Sequence, residues 1–140
     1  MKLATCCVLA AALLVAVGLS GRVLAEKDAS PTIAEIMRKL NGGANSMTRN
    51  LELDLKEEDP DWEAIQESTA EYAKLVGNLP KRTPRMGEKA SWEKLAKGYF
   101  DNAQALDAAA RKKDRKAASA VVARIQNACK ACHSVHRPKE

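Results

Sequence analysis

The sequence predicts an all-α protein, an antiparallel up-down-up-down four-helix bundle, and three observations carry that expectation. Apolar residues recur three and four apart through four stretches of the chain. Caps, prolines and glycines stand where those stretches begin and end. No segment alternates apolar and polar residues as a convincing strand would, and short connections make consecutive helices antiparallel neighbours.

The first helix is expected to begin near Ser30-Pro31, a capping serine with proline at the first helical position. Its apolar stripe is Ile33, Ile36, Met37, Leu40, Ala44, Met47, Leu51 and Leu55. The spacing continues through Asn41-Gly42-Gly43, so one long helix is expected, although each glycine costs about 1 kcal/mol in a helix interior. The alternative is a kink or break at the glycines. The second helix starts at Asp59-Pro60-Asp61 and turns Trp62, Ile65, Thr69, Tyr72, Val76 and Leu79 inward, and Gly77, Pro80 and Pro84 end it. Residues 77–90 form the longest connection. The third helix starts near Ser91 with the stripe Trp92, Leu95, Ala96, Tyr99, Ala103, Leu106 and Ala110. A basic turn over 111–115 leads to the fourth, with Ala118, Val121, Val122, Ile125, Cys129 and Cys132.

Ahead of the helices, Lys2 is followed by an almost wholly apolar run from Leu3 to Leu19, then by Val23-Leu24-Ala25. This predicts a signal peptide over 1–25, cleaved after Ala25, and an exported, periplasmic domain over 26–140. Uncleaved, the run would serve as a membrane anchor; cleaved, it leaves no stable membrane association. Cys6 and Cys7 would leave with the peptide. Losing Lys2 and Arg22 lowers the net charge of +5 by two, to +3. The remaining basic residues are interleaved with acidic ones, which argues against a nucleic-acid surface. No phosphate-binding glycine loop is present, and the only histidines are His133 and His136, so no enzyme is expected.

Two cysteines then remain, and both lie in Cys129-Lys130-Ala131-Cys132-His133. Cys-x-x-Cys-His is the attachment signature of a c-type haem. Thiols three apart occupy neighbouring helical positions and can each add to a vinyl group of one porphyrin, while the next residue supplies the proximal imidazole. A local disulfide would staple almost nothing. A zinc set of Cys129, Cys132, His133 and His136 is disfavoured, because four ligands so close on one helix cannot easily surround a metal tetrahedrally.

Four helices ending in this motif resemble the class II c-type cytochromes, the cytochrome c′ and cytochrome c556 group, over about residues 31–138. The resemblance implies one covalently bound haem c near the C-terminal end of the last helix, held by Cys129 and Cys132, with His133 as proximal iron ligand. Arg137 matches a basic residue common after the motif. His136 departs from the family, where an aromatic is usual, and is expected to be solvated. The resemblance also leaves a homodimer open. In the c′ members the sixth iron site is open; in the c556 members a methionine of the first helix fills it, and Met37 looks like that methionine.

Geometry favours the same choice. In an up-down-up-down bundle the end of the fourth helix faces the start of the first, which puts Met37 level with His133. Met47 lies about 15 Å further along. Met86, in the connection at the same end, is the rival ligand, and all three methionines can also be read as packing residues. The expected function is that of a monohaem electron carrier with a His/Met iron and a redox partner protein. A five-coordinate c′-type protein binding NO or CO is the alternative. A haem-free helical interaction module, its cysteine pair incidental, is a third reading.

Overall fold

A computed structural model describes residues 30–138, and the expected signal peptide, its cleavage after Ala25, Cys6 and Cys7 lie outside the described residues. Within them the regular structure is entirely helical: α1 (Ile33–Asn41), α2 (Met47–Asp54), α3 (Trp62–Val76), α4 (Lys89–Arg111) and α5 (Arg115–His136), with one 3-10 turn at Leu79–Lys81. α1 and α3 start three residues after the expected caps Ser30 and Asp59, with Thr32 and Asp61 as the actual caps, and α4 starts two residues before the expected Ser91. Thr32 caps α1 in a capping box, its hydroxyl accepting from the Glu35 amide while the Glu35 carboxylate accepts from the Thr32 amide. Asp61 caps α3 and Asp114 caps α5. The link from α4 to α5 is a Schellman turn: Lys113 N–H bonds to Ala110 O and Asp114 N–H to Ala109 O, with Lys113 in the left-handed region at φ 54°.

The predicted stripes form the core except at Ala44, which is exposed in the break between the first two helices. Ile36 and Leu40 of α1, Leu51 of α2, Ile65, Tyr72 and Val76 of α3, Leu106 of α4 and Ile125 of α5 are all essentially inaccessible to water. α4 packs most extensively, against α5 on one side and α3 on the other. Ala96, Ala103 and Ala110 of α4 and Ala118 of α5 are buried, and such short side chains let helices approach closely.

The single long first helix is corrected. The chain breaks after Asn41, where Gly42 turns extended and Gly43 takes φ 75°, and α2 begins afresh at Met47. The apolar period ran on because both short helices face the same core. What it did not register is that Gly42 and Gly43 together permit a reversal that side chains resist. A Cβ at Gly42 would collide with the Arg38 carbonyl oxygen, and one at Gly43 would be held at a positive φ. α1 packs mainly on α2 and α3, and α2 also reaches α5.

The break fixes the sign of a substitution. In a continuous helix Gly43→Ala would stabilise the protein by about 1 kcal/mol. At φ 75° it is expected to destabilise by about 1–2 kcal/mol. Denaturant unfolding of the single variant measures the difference, and a gain in stability would restore the continuous helix.

Candidate functional site

The C-terminal half of α5 carries the motif. Ile125 is buried, and Cys129 and Cys132 continue its stripe four and seven residues on. Both thiols are free and half-buried; Cys132 packs against the core, and Cys129 Sγ lies 3.3 Å from Ile125 O, to which it donates. Burial pushes both thiols above their ordinary range, which keeps them protonated at neutral pH. His133 is exposed, and its ring makes no hydrogen bond or ion pair among the described residues. Two thiols free of any disulfide at the required spacing, beside an imidazole with no partner among the described residues, are a donor set that fits haem c.

His136 is corrected from solvated to buried. Only 7% of it is exposed. Nδ1 is 2.9 Å from Met86 O and Nε2 is 3.1 Å from Ser91 Oγ. A carbonyl can only accept, so Nδ1 carries the proton of the neutral ring and Nε2 accepts from the serine hydroxyl. Trp92 packs edge-on against the ring, with centroids 5.4 Å apart. The space exists because residue 87 is glycine: a Cβ there would overlap the imidazole, and its φ of 83° suits glycine. With Trp92 Nε1 donating to Leu79 O at 3.1 Å, these bonds tie both ends of the α3–α4 connection to the bundle. A His136 with both nitrogens engaged is not turned toward a shared metal with Cys129, Cys132 and His133.

The connection brings the Met86 backbone to the end of α5, but the residue is 38% exposed. Met47 opens α2 and packs against the core. Met37 also leans on the core, and its Sδ lies 3.8 Å from Asn41 Nδ2. From Asn41 a polar chain runs inward. Thr48 Oγ1 donates to Asn41 Oδ1 at 2.9 Å and lies 3.0 Å from the Tyr72 hydroxyl, which is 2.6 Å from that of Tyr99. Burial raises both phenols, and an ionised Cys129 would raise each further, so the tyrosine pair lies within electrostatic range of the motif. The sequence reading missed this chain. Tyr72 and Tyr99 entered it only as stripe residues, and Asn41 and Thr48 lay seven apart on a supposed single helix. An open groove lined by Ala73, Lys74, Phe100, Gln104 and Asp107 shares no residue with the motif.

Residues 86–137 match the family described as Cytochrome C'. The match runs from the Met86 connection through α4 and α5, and over this segment the resemblance to the class II c-type cytochromes holds. The likeness over that segment suggests a c-type cytochrome and is consistent with haem c as a cofactor. No curated protein and no solved structure matches the chain. Among the described residues no helix is long and apolar enough to cross a membrane.

The chain has only two tyrosines, so their ionisation can be followed directly. Both phenols are raised above the ordinary value of about 10. A raised folded-state value means the folded state holds the proton more tightly. The stability so contributed is intact below the unfolded value and is lost as the pH climbs from there through the folded values. Ultraviolet titration of the haem-free protein is therefore expected to show phenolate only as the helices melt. Two phenols ionising near 10 with helicity retained would contradict the buried pair.

Proposed function

We propose that the chain is an exported monohaem c-type cytochrome that carries electrons in the periplasm and catalyses no reaction of its own. The observation that carries this reading is the Cys129-x-x-Cys132-His133 run on the inner flank of α5, with half-buried free thiols beside an unpartnered imidazole. The family match encloses that run.

Bound haem c would supply a one-electron couple. Cys129 and Cys132 would fix it by thioether bonds, and His133 would ligate the iron on the proximal side. Met37 is the proposed distal ligand. It lies on a helix, half-buried against the core, whereas Met86 lies in a loop and is exposed. A thioether ligand favours the less charged ferrous state and raises the potential. Burial in an apolar interior would act in the same direction by disfavouring the extra charge. His136 steadies the last turn of α5 by its bonds to the α3–α4 connection. Lys130 and Lys139 would attract an acidic redox protein. The second reading is the five-coordinate c′ type that binds NO or CO, which the description of the matched family favours.

Protein from the native compartment is expected to begin at Glu26 and to carry the mass of one haem that survives denaturation. Replacing both Cys129 and Cys132 by Ala is expected to abolish the covalent haem. An intact mass with no added haem would overturn the assignment at its root.

Wild type is expected to be low-spin, with a weak iron–sulfur charge-transfer band in the far red when oxidised. Met37→Ala should remove that band, make the iron high-spin, open it to carbon monoxide and lower the reduction potential. Met47→Ala should leave the spectrum unchanged and cost about 2–4 kcal/mol as a partly buried truncation. High-spin wild type that takes up carbon monoxide readily would favour the gas-binding reading. Opening by Met86→Ala instead would move the ligand to the loop.

A further inference from the structure

The polar chain beside Met37 has only one consistent order of donors. Thr48 spends its single proton on Asn41 Oδ1, so the hydrogen between Thr48 and Tyr72 must come from the phenol. Tyr72 then has no proton left for Tyr99, and the 2.6 Å contact between the phenols must be donated by Tyr99. The donors thus run Tyr99 to Tyr72 to Thr48 to the Asn41 carbonyl. With its oxygen committed as acceptor, Asn41 has only its amide nitrogen left as a donor; that nitrogen lies 3.8 Å from Met37 Sδ and also donates toward the Tyr99 oxygen, which closes the chain into a ring. Every link but the last involves an oxygen in the bundle interior, and Tyr72 is wholly buried. Chains of this kind polarise one another, which strengthens the terminal N–H as a donor.

We infer that Asn41 is a positioning residue for Met37, held by the Tyr99–Tyr72–Thr48 chain so that one sulfur lone pair is hydrogen-bonded and the other is left for the iron. The inference rests on the proposed ligation by Met37. A thioether sulfur has two lone pairs, so donation from Asn41 and ligation of a metal are compatible. The hydrogen bond has two consequences. It restricts rotation of a flexible side chain whose terminal torsions are otherwise free. It also draws electron density from sulfur, which makes the sulfur a weaker donor to the ferric state and raises the potential. Ligand-orienting groups of this outer rank change metal affinity by about 10- to 100-fold when removed. An apolar pair of similar shape at positions 41 and 48 would fill the same space but would leave the buried Tyr72 hydroxyl without its acceptor.

The test uses the haem-loaded protein and three variants. Asn41→Leu removes the donor to sulfur, Thr48→Val cuts the chain one link back, and Thr48→Ser keeps the hydroxyl. Asn41→Leu and Thr48→Val are both expected to lower the reduction potential, shift or weaken the iron–sulfur charge-transfer band and speed carbon monoxide uptake by about ten-fold or more. Thr48→Ser should restore wild-type behaviour in all three. Should the two disruptive variants fail to fold, Tyr99→Phe removes the hydroxyl that bonds Tyr72 and faces the Asn41 amide, and a smaller shift of the potential in the same direction is expected. Variants that fold but leave the band, the potential and the uptake rate unchanged, in a wild type that shows the band, would overturn the role of Asn41 and leave Met37 as ligand. A wild type without the band would overturn both.

Discussion

The left-handed turn at Gly43 is the constraint on which the interior of this protein depends. In an unbroken helix residues 41 and 48 would stand about 10 Å apart along the axis, beyond any hydrogen bond. The reversal over Gly42 and Gly43 lets α2 swing back so that Thr48 Oγ1 comes within 2.9 Å of Asn41 Oδ1. That contact anchors the polar chain through Tyr72 and Tyr99, and with it the side of the core that faces Met37. Two residues without side chains therefore decide how a set of hydroxyls and an amide are partnered several ångströms away.

The other end of the site depends on a third glycine. Gly87 leaves the space that His136 fills, and His136 holds the Met86 carbonyl and the Ser91 hydroxyl against the last turn of α5. The result separates two histidines only three residues apart. His136 has both nitrogens bonded and an indole against its ring, whereas His133 keeps its nitrogens uncommitted at the surface. Only the second is chemically available to a metal, and it is the one that follows Cys132. The fold thus uses one imidazole as a structural wedge and leaves the other uncommitted.

Sequence alone determined the helical class, most of the residues of the core stripes and the Cys-x-x-Cys-His run. These are properties of spacing along the chain: an apolar period near 3.6, cap residues before each stripe, and two thiols a fixed interval apart with a histidine beside them. Ile36, Leu40, Ile65, Tyr72, Val76, Leu106 and Ile125 are buried as their periodicity requires. The identity of α5 as bearer of the motif needed no coordinates.

Tertiary structure alone decided where the first segment breaks, which histidine is buried and how the tyrosine hydroxyls are partnered. Periodicity cannot see the break, because α1 and α2 both turn apolar residues to one core and the stripe runs unbroken across the glycines. Nor can it see His136, whose partners Met86 and Ser91 are 50 and 45 residues away. The direction of the Tyr99–Tyr72–Thr48–Asn41 chain follows from counting protons around groups on four different helices. Such a count exists only once the helices are packed, since each hydroxyl has one proton and its use is settled by what lies opposite.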